Sequence, residues 1–120
     1  MQLNKDKLTY KTSQKAMDRI QKLLEFLEQS PEDSFLKHAL GLEYIKIGND
    51  TEARKMFESV LEVDPNYVGT YYHLAKLLER IGERTLAIEI YELGMQKAKE
   101  AGDNHALGEL RGAFEELTFD

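Results

Sequence analysis

Two prolines, Pro31 and Pro65, are the only ones in this 120-residue chain, and they stand 34 residues apart. Each follows a turn-favouring residue and precedes a polar one: Ser30-Pro31-Glu32-Asp33 and Asp64-Pro65-Asn66-Tyr67. Proline fixes φ near −65° at the second position of a type I turn, and a Ser or Asp before it can bond the backbone beyond. The two prolines are therefore expected to mark joints between helices.

The segments around them support this. In "EARKMFESVLEV", Ala53, Met56, Phe57, Val60 and Leu61 fall on one apolar stripe of helical period. "FLKHALGLEYIKIG" repeats the logic with Leu36, Leu40, Tyr44 and Ile47, and Gly48 supplies a left-handed stop. Asn49 and Glu52 offer a capping-box start to the helix that follows. Aligned from the prolines, Leu40 falls on Leu74, Gly41 on Ala75, Tyr44 on Leu78, Gly48 on Gly82, Ala53 on Ala87 and Phe57 on Tyr91. A period of this length means one helix pair, unable to bury its apolar face alone, stacked on its copy.

These residues resemble the tetratricopeptide repeat, whose pattern runs W-x2-L-G-x2-Y, then A-x3-F, then P. Leu40, Gly41, Tyr44, Ala53, Phe57 and Pro65 match in the first unit; Tyr71, Leu74, Ala75, Leu78, Ala87 and Tyr91 match in type in the second. Lys37 stands in the tryptophan position, so that edge is expected to be less buried than usual. Lys99 replaces the closing proline of the second unit, so its second helix is expected to run on to about Ala101. "AGDNHALGELRGAFEEL" resembles the first helix of a third unit, with Leu110, Ala113, Phe114 and Leu117 as its apolar stripe. Upstream, Ala16, Ile20, Leu23, Leu24 and Leu27 make another amphipathic helix.

The resemblance implies an all-α fold, an α-α superhelix or solenoid of two full repeats, residues 32–65 and 66–99. A capping helix is expected at each end, over 13–29 and 103–118, with 1–12 an extended or mobile segment outside the domain. Terminal helices would cover apolar faces that end repeats otherwise leave in water.

Composition narrows the function classes. No cysteine is present, which removes disulfides and thiolate chemistry and fits a reducing, cytoplasmic compartment. The longest uncharged stretch, "PNYVGTYYHLA", is far short of the roughly 18 residues of a membrane span, so no membrane partner is expected. Net charge −6 opposes attraction to a phosphate backbone, so neither is nucleic acid.

No pattern for catalysis stands out. The chain shows no HExxH, no nucleophile paired with a base and no phosphate-cradling glycine loop. Gly41, Gly48, Gly82, Gly94 and Gly108 are expected at turns or close helix contacts, and Glu115-Glu116 on a solvated face. His38 and His105 occupy the same place in their units with His73 one residue off, and no carboxylate or cysteine at ligand spacing joins them. No cofactor, metal or enzyme activity is expected; the rival of another class is a metal- or nucleotide-dependent enzyme.

The family resemblance implies instead a groove lined by the first helix of each unit. It assigns to this groove Phe35, His38, Leu42, Ile45, Tyr72, Lys76, Glu79 and Arg80, with His105 and Glu109 from the last helix. A non-catalytic adaptor holding a protein partner's peptide or helix follows, with homo-dimerisation as the alternative. One subclass of the family grips a C-terminal carboxylate with Lys, Asn and Arg from successive leading helices. This chain has His38, Leu42, His73, Gly102 and Ala106 there, a set without those charges, which disfavours that role. The competing reading of Phe35, Leu42 and Ile45 is that the N-terminal helix packs over them.

Overall fold

The computed structural model describes the backbone of residues 2–119 and the side chains of residues 10–119. Six helices and no strand occur among the described residues: α1 Gln2–Gln29, α2 Ser34–Lys46, α3 Asp50–Val63, α4 Gly69–Arg80, α5 Arg84–Ala101 and α6 Asn104–Thr118. The fold is all-α. Two compact units divide the chain, Met1–Met56 and Phe57–Asp120.

In the first unit the proline turn forms as expected, with the Asp33 N–H donating to the Ser30 carbonyl at 3.1 Å. Asp33 has a second duty that the turn alone does not reveal. Its carboxylate accepts from the Leu36 N–H at 3.0 Å and so caps α2. At the other end of α2, Gly48 turns left-handed with φ 78°, which lets the Asn49 N–H reach back to the Tyr44 carbonyl at 2.9 Å. Asn49 then accepts from the Glu52 N–H at 3.2 Å and starts α3.

The unit departs from the sequence reading in three places. Helix α1 begins at Gln2, so the stretch 1–12, expected outside the helix, is helical from its second residue; Met1 lies outside the described residues. No glycine or proline occurs before Ser30, and nothing local stops the helix from continuing backward. Leu24, expected on the apolar stripe, is exposed, while Ala16 and Ile20 are buried and Leu23 and Leu27 half-buried. Lys37, expected at an open edge, is only 7% exposed. Its aliphatic stem fills the buried place, and its ammonium reaches Glu32 at 3.5 Å.

Helix α1 packs on α2, and a buried carboxylate ties the two together. Glu43, its side chain 3% exposed, takes Arg19 Nε of α1 at 3.2 Å and Lys46 Nζ at 3.1 Å on the same oxygen, Oε1. Its other oxygen, Oε2, has no hydrogen-bond partner among the described residues.

The second unit repeats the turn, with Tyr67 N–H donating to the Asp64 carbonyl at 3.0 Å, and repeats the glycine stop at Gly82, φ 87°. Helix α5 runs on to Ala101, as the missing proline at Lys99 implied, and ends on left-handed Gly102. It packs on both α4 and α6 around Tyr71, Ala75, Tyr91, Ala98, Leu110 and Ala113. Tyr71, in the place of the family's tryptophan, is fully enclosed, and its hydroxyl donates to the Pro65 carbonyl at 2.5 Å, fastening the turn to the core.

Gly94 is where three helices meet. A Cβ there would stand 2.6 Å from Tyr71 Cβ and 3.2 Å from Leu110 Cδ1, so only glycine admits this approach. Gly108 is different from its expectation. It lies in the middle of α6 on the exposed side, with nothing within 4 Å of where a Cβ would be. The equivalent Ala75 is fully buried; in α6 that outer side carries Arg111 and Gly112, both exposed.

Candidate protein-interaction surface

The residues expected to line a groove come from helices of both units. On α2, Phe35 is 65% exposed, whereas His38, Leu42 and Ile45 are half-buried. Phe35 is thus open to solvent and not covered by α1; the other three are neither open nor enclosed.

In the second unit, Arg80, His105 and Glu109 are exposed and Tyr72, Lys76 and Glu79 half-buried. Tyr72 packs against the core cluster and meets the His73 ring edge-on at 5.5 Å between centroids. Lys76 Nζ lies 3.8 Å from Glu79 Oε2, and the same oxygen accepts a hydrogen bond from the Tyr91 hydroxyl. Glu79 is therefore a carboxylate held from below by the core. His105 Nε2 stands 3.2 Å from Glu109 Oε1, one helical turn on.

The histidines do not form a ligand set. His73 stacks on Phe57 with ring centroids 6.2 Å apart, and burial pushes its pKa below the usual imidazole value, an effect that Glu109 partly offsets. Among the described residues no group of three or more His, Cys, Asp or Glu comes together to hold a metal ion. Nor is any helix among them long and apolar enough to cross a membrane.

The structure also contains a cleft that uses none of the expected residues. It has a volume of about 360 Å³ and lies in the second unit between α3 and α5, lined by Leu61, Pro65, Leu74, Leu86, Ile90 and Leu93 with Glu58 and Glu62 beside them. The signal for it is legible after the fact. Helix α5 carries two apolar lines, Ala87-Tyr91-Gly94-Ala98 in the core and Leu86-Ile90-Leu93 one residue before the first three of these, and the second has more apolar surface than the core absorbs.

Helix pairs joined by tight turns and repeated at one period define a class of tandem helical repeat proteins. The chain matches the Tetratricopeptide repeat family model over residues 36–67 and 68–100, more than half its length. It belongs to the tetratricopeptide repeat family. A tetratricopeptide repeat domain protein from Salinibacter ruber, solved in solution, is similar at 43% identity over 73% of this chain and 89% of that one, with a TM-score of 0.70. Protein BPP2914 from Bordetella parapertussis is 26% identical over 82% of this chain and 85% of that one, TM-score 0.72. The TPR2B domain of yeast Sti1, solved as a complex with pHsp70, shares the fold at 17% identity over 93% and 94%, TM-score 0.78.

Proposed function

We propose that this chain is a non-catalytic, cytoplasmic protein-interaction module that holds a peptide or helical segment of a protein partner against the first helices of its repeats. The observation that carries the reading is the exposed side-chain content of those helices, taken in each unit by itself. Phe35, Arg80, His105 and Glu109 stand exposed on α2, α4 and α6, offering an aromatic anchor and charges of both signs without a nucleophile, a metal set or a phosphate cradle. Membership of the family and the complex of the Sti1 domain with pHsp70 support the same use of the fold. The absence of clustered Lys, Asn and Arg at positions 38, 42, 73, 102 and 106 argues against recognition of a free C-terminal carboxylate.

A second reading is favoured by the cleft beside Leu86, Ile90 and Leu93, which is apolar and large enough for two or three side chains. Selection of peptides from a displayed library by the purified chain, followed by affinity measurement on the selected sequences, separates the two. Phe35→Ser with Arg80→Glu should abolish binding and leave the melting temperature unchanged, since both residues are exposed. Retention of binding in that variant, with loss on Leu93→Ser, would move the site to the cleft. Amidating the peptide's C-terminus should change nothing.

A further inference from the structure

Along α1 the exposed residues Tyr10, Met17 and Leu24 recur every seven positions, at 69%, 52% and 41% exposure. Seven residues are close to two helical turns, so the three keep to one line with a drift of about 20° per step. Gln14 and Gln21, both exposed, fill the same line one turn further on. The stripe from Tyr10 to Leu24 is therefore uncharged, on a helix whose other exposed positions include Lys11, Lys15, Asp18, Arg19, Lys22 and Glu25. It is also distinct from the buried line of Ala16 and Ile20. Exposed apolar groups at heptad spacing on a long helix form a seam for another helix.

We propose that this stripe pairs with the same stripe of a second copy of the chain, the two helices running antiparallel and crossing at Met17. Tyr10 and Leu24 lie equally far from Met17 on either side. A two-fold axis at Met17 sets Tyr10 of each copy against Leu24 of the other, and Met17 against Met17, which is a self-complementary contact.

Charge selects the direction. The residues that follow the three apolar positions of the stripe, Lys11, Asp18 and Glu25, lie along one flank of the seam. In the antiparallel pair, Lys11 of one copy and Glu25 of the other lie on the same side of the axis with an axial offset of about 3 Å, at 1.5 Å per residue. The contact forms twice. A parallel pair would carry this flank of the two copies to opposite sides of the seam, so Lys11 and Glu25 would not meet across it. In the antiparallel pair Asp18, its Oδ1 accepting from Gln14 Nε2 at 3.1 Å, meets its own copy near the axis, and this opposition keeps the dimer dissociable on dilution.

The chain has no cysteine of its own, so single introduced cysteines report cleanly. The full chain carrying Met17→Cys, Tyr10→Cys, Leu24→Cys or, as a control off the stripe, Lys22→Cys is treated with a short thiol-to-thiol cross-linker. Met17→Cys should give a covalent dimer, and Tyr10→Cys mixed with Leu24→Cys should give one that neither gives alone. Self-cross-linking of Tyr10→Cys and of Leu24→Cys would show parallel pairing and overturn the proposal, as would yields no higher than those of Lys22→Cys. Sedimentation across concentration should show wild type moving between monomer and dimer. Met17→Glu should stay monomeric with unchanged helix content, and Lys11→Glu should raise the dissociation constant at least tenfold. Lys11→Glu with Glu25→Lys should restore the wild-type constant. A wild type that remains monomeric throughout, or a double variant no better than the single, would overturn the pairing.

Discussion

The hydroxyl of Tyr91, a residue with no exposed surface at the centre of the second unit, donates a hydrogen bond to the carboxylate of Glu79 on α4. The bond joins core and surface, because Glu79 is one of the residues the family pattern assigns to the groove. Burial raises the Tyr91 pKa well above the ordinary phenol value, and the bond to Glu79 raises it further. Tyr91→Phe should cost about 1–3 kcal/mol, since the lost bond ends on a charged group. The pH dependence has a definite sign. The folded pKa lies above the unfolded value near 10, so the contribution is intact below about pH 10 and lost as pH rises beyond it. Urea denaturation at pH 8 and pH 10.5 should show wild type losing stability over this interval and Tyr91→Phe losing less.

Three of the six tyrosines should resist ionisation. Burial is the leading cause for Tyr44, Tyr71 and Tyr91, with Glu52 adding to the first and Asp64 and Glu100 to the second. There is no tryptophan to obscure tyrosinate absorbance. Ultraviolet titration of the native chain should continue past the pH at which the urea-unfolded chain is fully ionised, and Tyr91→Phe should remove the latest part. Coincident native and unfolded curves would contradict the enclosed positions of these rings.

The helical glycines should answer alanine with opposite signs. Gly94→Ala forces a methyl against Tyr71 Cβ and should destabilise by about 1–3 kcal/mol. Gly108→Ala and Gly112→Ala meet open space within α6 and should each stabilise by about 0.5–1 kcal/mol through the reduced entropy of the unfolded chain. Thermal melts of the three variants decide it; a destabilised Gly108→Ala would place an unseen neighbour against α6.

Glu43 corresponds in the repeat to Leu77, which is fully buried. Glu43→Leu should be neutral or stabilising by about 1–3 kcal/mol, because replacing a buried ion pair by a well-packed apolar group removes its desolvation cost. Arg19→Ala should destabilise, since it leaves the buried carboxylate with Lys46 alone. Denaturant midpoints of the two variants should move in opposite directions or only the second should move.

Ala53 and Ala87, one period apart, have no exposed surface. Ala53→Leu and Ala87→Leu should each destabilise by about 1–3 kcal/mol, because extra methylenes in a packed interior displace their neighbours. Wild-type midpoints in both would mean that the two positions do not share a structural role.

The helices and their joints were legible in the amino-acid order because their causes are local. Pro31 and Pro65 set φ, Gly48 and Gly82 turn left-handed, and Asn49 caps, each acting within a few residues; the apolar stripe of each helix follows from its period. Even the overrun of α5 to Ala101 follows from a single absent proline. Position 37 was not legible in this way, because a lysine's charge predicts exposure while its aliphatic stem permits burial with the ammonium on the exposed carboxylate of Glu32, and only the packed unit decides whether neighbours enclose that stem. Glu79 was assigned to the groove by the family pattern, and only the packing of α5 on α4 shows the Tyr91 hydroxyl bonded to it. The cleft beside Leu86, Ile90 and Leu93 depended on how much of two apolar lines on one helix the neighbours could cover. Local conformation is decided by bonded geometry and nearby hydrogen bonds, which the sequence carries; burial and partnership are decided by which surfaces meet, and those arise only when helices pack.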